Sequence, residues 1–123
     1  MIQGAGELLA EDHGESVMVA QQVLQEATRR LVERFDPTRI ILIGSQARGM
    51  ADDRSDVDLL VICRFSGRRR DLMVAMDRAL KGLGMARDVI VLTPEEFERD
   101  RHIPGTMARP AALEGKVLYD SAS

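Results

Sequence analysis

The stretch from Ile40 to Cys63, IILIGSQARGMADDRSDVDLLVIC, decides how the rest of the chain is read. It opens on the apolar run Ile40–Ile43 and breaks at Gly44-Ser45. A polar loop follows, and a second apolar run then begins with two aspartates spaced two apart, Asp56 and Asp58. In a β-strand, residues i and i+2 point to the same face, so a strand here sets both carboxylates side by side. Two such groups repel each other and are costly to keep charged unless a cation sits between them. A Gly-Ser turn leading into a helix N-terminus is a natural seat for phosphate oxygens. Together they point to a metal–nucleotide site.

Working outward, the residues before this stretch carry helical spacing, with apolar side chains at 17, 20, 24, 27, 31 and 35. Ser16 is a suitable N-cap, and Asp36-Pro37 stops the helix because the residue before a proline avoids the α region. Residues 1–15 are Gly-rich and acidic and read as a loose leader, which leaves 16–123 as a single domain. Gly44 to Arg54 reads as a turn with one short helix. Val57–Cys63 is a strand whose apolar residues on both faces indicate a covered sheet.

Beyond it, Arg68 to Lys81 has the pattern of a helix with Leu72, Met73, Met76, Ala79 and Leu80 inward, ending near Gly82 or Gly84. Ala86 to Leu92 is a third strand with Asp88 near its start. Thr93-Pro94-Glu95-Glu96 has the form of a capping box with proline at the first helical position. His102 to Arg109 reads as irregular, Ala111–Glu114 as a helical turn, and Lys116–Tyr119 as a last strand. Strands alternating with helices in this order predict an α/β sheet core.

Composition narrows the class. The chain has 123 residues, 45% hydrophobic and 30% charged, as expected of a folded soluble domain with one sizeable core. Aromatics make up only 3%, so the core is built from Val, Ile, Leu, Met and Ala. A net charge of −3 gives no electrostatic case for binding a nucleic-acid polymer. The single cysteine, Cys63, excludes an intramolecular disulfide, fits a reducing cytoplasm, and reads as a small core residue. No segment approaches the roughly 20 apolar residues of a membrane span. The N-terminus lacks a signal-peptide pattern, so a cytoplasmic protein is expected.

The chemistry that needs such a motif is phosphoryl or nucleotidyl transfer, where charge on a triphosphate is neutralised and a hydroxyl is held in line. Two divalent ions do both jobs, and a cluster of carboxylates holds them. Magnesium takes few ligands from protein, so two or three aspartates suffice. Asp56 and Asp58 supply two. Asp88 supplies a third if its strand lies beside theirs, as metal ligand and as base for the acceptor hydroxyl. Gly44 allows close backbone approach to a phosphate, Ser45 adds a hydroxyl donor, and Arg48 offers a planar fork to phosphate oxygens. Taken singly, each has an ordinary reading. A Gly-Ser pair is usually a turn, Asp-x-Asp more often a cap, Asp88 a junction residue, and Arg48 a solvated charge. The combination at the mouth of strongly apolar strands, where unpaired carboxylates are unfavourable, outweighs those readings.

The pattern Gly44-Ser45-x-Ala47-Arg48-Gly49, followed by Ser55-Asp56-Val57-Asp58-Leu59-Leu60-Val61, resembles the signature of the nucleotidyltransferase superfamily with a polymerase-beta-like palm. Within it, the chain is similar to the minimal nucleotidyltransferases, the MNT or MntA-like antitoxins. The resemblance runs over roughly residues 17–120, and the closing Glu114-Gly115-Lys116-Val117-Leu118-Tyr119 is also similar to the family's C-terminal end. Gln46 departs from the pattern, where the family often has Arg.

The resemblance implies an α/β palm, with a mixed central sheet flanked by helices. It implies Mg²⁺-dependent transfer of AMP from ATP, with two ions held by Asp56, Asp58 and Asp88 and the nucleotide held by Gly44, Ser45 and Arg48. It further implies a partner, a HEPN-domain ribonuclease toxin, with a tyrosine as acceptor in a type VII toxin–antitoxin pair. Only 35 residues follow Asp88, which leaves no room for the helical acceptor domain of small-molecule transferases and favours a partner chain in that role. A small-molecule transferase with a helical partner subunit, and a non-catalytic toxin-binding module, are the rival expectations.

His13 and His102 stand alone and do not make a zinc site. Met73, Met76 and Met85 read as core filling, Tyr119 as a ring packed on the sheet, and Arg68-Arg69-Arg70 as a solvated helix start.

Overall fold

Leu24, Ala27 and Leu31 recur on one face of helix α1 (Gln21–Phe35), and this buried stripe seats the helix on a sheet. The computed structural model describes residues 21–44 and 57–122, so the expected leader, the Ser16 cap and the loop with its short helix lie outside the described residues. After α1 come β1 (Arg39–Ile43), β2 (Val57–Ile62), α2 (Arg69–Ala79), β3 (Arg87–Leu92), α3 (Pro94–Asp100), α4 (Ala108–Glu114) and β4 (Lys116–Asp120). The mixed α/β architecture expected from the sequence is present.

Helix α1 ends where expected. Asp36 turns into the left-handed region at φ 51°, donates its N–H to the Val32 carbonyl, and hands over to the buried Pro37. Aspartate tolerates that region better than most residues, and proline prevents the helix from continuing.

The described strands form one sheet in the order β3-β2-β1-β4. β1 runs antiparallel to both β2 and β4, whereas β2 and β3 are parallel and joined through α2. Period-two alternation splits the apolar residues between two layers. Ile40, Leu42, Leu59 and Val61 face α1 and α2, with Met76 and Leu80 packed among them. Ile41, Ile43, Leu60 and Ile62 face α3 and α4, where Phe97, Ala108 and Ala111 cover them. Both sides of the central strands are thus buried. This explains why β2 is almost uniformly apolar after its first carboxylate.

The local signals hold. Thr93 and Glu96 form the reciprocal capping box at the start of α3, with Glu96 N–H donating to Thr93 Oγ1 at 3.1 Å and Thr93 N–H to Glu96 Oε1 at 2.9 Å. Cys63 is buried, as are Met76 and Met85, while Met73 and Tyr119 pack at the core's margin. His102 lies exposed between α3 and α4.

Three details differ. Helix α2 stops at Ala79, before the glycines. Helix α4 begins at Ala108, three residues earlier than the expected turn. Pro110 is no obstacle there, because N–H groups in the first turn have no intrahelical acceptor to lose. Arg69 is not simply solvated. It donates through both terminal nitrogens to Glu96 at 2.7 Å and through Nη1 to the Val91 carbonyl, and it lies over the Phe65 ring. Among the described residues no helix is long and apolar enough to cross a membrane.

Candidate active site

At one end of the sheet, β1 finishes while β2 and β3 begin. The chain direction therefore brings the Gly44 turn and the two strand starts to the same edge. In the parallel pair β2–β3, Asp58 is the register partner of Asp88. Residues paired in register across neighbouring strands point to the same face, with backbones about 4.8 Å apart. The two aspartates lie on the face that further along carries Leu60 and Ile62 from β2 and Ile90 and Leu92 from β3. Asp58 is half-buried and Asp88 is exposed. The third carboxylate expected from the sequence is thus placed beside the second.

Gly44 completes the described part of the site. The antiparallel register pairs Ile43 with Asp58, so the next residue starts its turn over the aspartate. Gly44 has φ +80°, a conformation that glycine adopts without steric cost. A Cβ placed on it would lie 2.6 Å from Asp58 Oδ2. The carboxylate therefore occupies the space that any side chain at 44 would claim. Ser45, Arg48 and Asp56 lie outside the described residues.

The frame around these groups is firmly tied. Val57 N–H donates to the Ala86 carbonyl at 2.8 Å and locks the starts of β2 and β3 together. Arg87, whose side chain points to the opposite face from Asp88, donates to the Met85 and Asp77 carbonyls. Its Nε also lies 3.0 Å from Asp77 Oδ1, so α2 anchors the start of β3. The strand thereby presents Asp88 outward while its neighbour roots it. Sequence reasoning missed Arg87 in this role, since an arginine beside an aspartate carries no local signal of what it will bond.

Chemically, two adjacent carboxylates beside a glycine suit a small divalent cation with oxygen ligands. Among the described residues no three His, Cys, Asp or Glu side chains come together to hold a metal, and Asp56, the further ligand expected from the sequence, lies outside them. The donor set fits the cation. A groove of about 540 Å³ elsewhere, lined by Leu24, Thr28, Val32, Leu118 and Tyr119 among others, sits between α1 and β4 and contains neither site aspartate.

A mixed sheet of this topology with carboxylates clustered at the mouth of β2 and β3 defines the architecture of a nucleotidyl-transfer domain. The chain belongs to the nucleotidyltransferase domain family, whose model matches residues 24–119 and so spans every described element from within α1 to within β4. The fold is also that of a candidate nucleotidyltransferase from Sulfolobus solfataricus known from a crystal structure. The two are 21% identical and superpose with a TM-score of 0.59 over 83% of this chain and 81% of that one. Among curated proteins, none matches this chain. Domains of this family generally use a nucleoside triphosphate and a divalent metal.

Proposed function

We propose that this chain transfers AMP from ATP to a tyrosine hydroxyl of a HEPN-domain ribonuclease toxin and so acts as the antitoxin of a type VII toxin–antitoxin pair. The observation that carries nucleotidyl transfer is the register of Asp58 with Asp88 beneath Gly44. Membership of the nucleotidyltransferase family supports it. The choice of acceptor rests on the similarity of the Gly44–Gly49 and Ser55–Val61 segments to the minimal nucleotidyltransferases.

Asp56, Asp58 and Asp88 would hold Mg²⁺, as two ions. When bound, the metal supplies charge neutralisation on the triphosphate and lowers the pKa of the acceptor hydroxyl. Gly44, Ser45 and Arg48 bind the triphosphate, which leaves the α-phosphorus facing the acceptor. The tyrosine oxygen attacks that phosphorus, a P–O bond forms, and the bond to the bridging oxygen breaks with release of pyrophosphate. Asp88, the exposed member of the pair, accepts the hydroxyl proton.

The test is label transfer. Incubated with α-labelled ATP, Mg²⁺ and a HEPN protein encoded beside it, the chain is expected to label that protein on tyrosine, and Asp58→Ala or Asp88→Ala to abolish the label. Undiminished labelling by both variants would overturn the site. Transfer to a small hydroxyl compound with none to protein would move the acceptor. Toxin neutralisation at full potency by the double variant would replace catalysis with occlusion.

A further inference from the structure

We infer that Gly44 is a positioning residue for the Asp58 carboxylate, and that its lack of a side chain serves the metal ligand more directly than the phosphate. The inference rests on the proposed metal role of Asp58. Among the described residues, the three atoms nearest to a Cβ at position 44 are Asp58 Oδ2 at 2.6 Å, Cγ at 3.6 Å and Cβ at 3.8 Å. All three belong to one side chain, and no backbone atom is among them. Of these, only the carboxylate oxygen is in conflict, and it is the movable end of its side chain.

This geometry decides where a substitution would be felt. Ordinary van der Waals contact begins near 3.4 Å, so a methyl at 44 requires Oδ2 to retreat by about 0.8 Å. The conflict is with the end of a side chain and not with the backbone, so it falls on the Asp58 carboxylate and its other interactions before it reaches the antiparallel pairing of Ile43 with Asp58. A metal site is less tolerant. Magnesium demands near-ideal geometry, and functional constellations must be held to within roughly 0.5 Å. The variant is therefore expected to fold and to lose its ligand geometry.

Two causes other than this displacement can be separated. The positive φ of Gly44 disfavours an ordinary residue whatever the space around it. Asparagine enters that region several-fold more readily than most residues, yet carries the same Cβ. Backbone strain thus ranks Gly44→Ala as worse than Gly44→Asn, whereas carboxylate displacement affects both. A role of Gly44 confined to phosphate approach instead predicts intact metal binding with loss of nucleotide.

The experiment titrates Mn²⁺ alone into the full chain, without nucleotide, and reads free Mn²⁺ by electron paramagnetic resonance. Wild type, Gly44→Ala, Gly44→Asn and Asp58→Asn are compared, with circular dichroism and thermal unfolding alongside. Both Gly44 variants are expected to keep the wild-type spectrum and to bind Mn²⁺ at least about tenfold more weakly, in the range of losses seen when a ligand's support is removed. Should Gly44→Ala not fold, Gly44→Asn carries the same comparison. Wild-type Mn²⁺ affinity in the folded Gly44 variants, with Asp58→Asn impaired, overturns the inference alone. Recovery of affinity in Gly44→Asn but not in Gly44→Ala assigns the loss to strain and also overturns it. Wild-type affinity in Asp58→Asn removes the metal role itself.

Discussion

Asp58 and Asp88 stand in register on adjacent parallel strands, so two carboxylates share one face at the open end of the sheet. Like charges placed directly opposite each other on neighbouring strands are destabilising. In the proposed function such a pair sets chemistry against stability.

The first prediction separates those two quantities. Asp88→Asn is expected to lower nucleotidyl transfer at least about 100-fold, because in the proposed function it would remove a metal ligand and the proton acceptor together. In metal-free buffer at pH 7 the same variant is expected to be as stable as wild type, or up to about 1 kcal/mol more so. Urea unfolding with and without Mg²⁺, beside an activity assay, checks both signs. A large loss of metal-free stability would mean that Asp88 is structural.

Gly115 joins α4 to β4 where no methyl fits. A Cβ there would press into the Ile41 Cγ2 methyl and the Ala111 carbonyl oxygen. The backbone at this position has φ −70°, so the obstacle is space and not conformation. Ile41 is a core strand residue and the carbonyl belongs to a helix, so neither can give way as a flexible side chain would. Gly115→Ala is expected to cost about 1–3 kcal/mol by overpacking, measured by chemical denaturation. A neutral outcome would require α4 to lift off β1.

Arg69 links α2 to α3 through Glu96 and gives stability a dependence on pH. The Arg69 guanidinium, followed by the Thr93 backbone N–H, holds the Glu96 carboxyl at about 2, below its ordinary value of 4.5. A lowered carboxylate pKa contributes stability above the ordinary value, and that contribution is lost as pH falls from about 5 toward 2. The side chains are 40% and 24% exposed, so solvent weakens the pair and about 1 kcal/mol is expected. Arg69→Met should lose that amount at pH 7, with the gap to wild type narrowing below pH 4.5. A gap independent of pH would assign the loss to packing over Phe65 instead.

Cys63 is expected to resist alkylation. Burial, and then the nearby Asp36 charge, push its thiol up from the ordinary value, which leaves little thiolate at neutral pH. The thiol also donates toward the Phe35 and Arg64 carbonyls. Iodoacetamide should react at least about 100-fold more slowly with the native protein than with the protein in urea, since reaction awaits an opening of the core. Equal rates would show that the end of β2 opens readily.

Much of this arrangement is written locally in the chain. The stripe of Leu24, Ala27 and Leu31 marks α1, the uniform apolar run of β2 marks a covered strand, and Thr93 with Glu96 marks the start of α3. Each signal is carried by residues a few positions apart, where periodicity and capping act without knowledge of the remainder of the fold. The Asp-x-Asp spacing and the Gly44 break belong to the same class, and so does the reading of Asp88 as an acid near a strand start.

Tertiary structure alone decided which strands are neighbours. Alternation says which face a side chain takes, but not which strand lies beside it or in what register. Only the parallel pairing of β2 with β3 puts Asp88 against Asp58, and only the antiparallel return from β1 lays Gly44 over the Asp58 carboxylate. Arg69 shows the same limit, since its acceptor is 27 residues away, beyond the rest of α2, a turn and β3. Chemistry-bearing residues can be recognised one at a time from their local pattern. Their distances depend on contacts between segments far apart in the chain, which packing of the two apolar faces of the sheet sets.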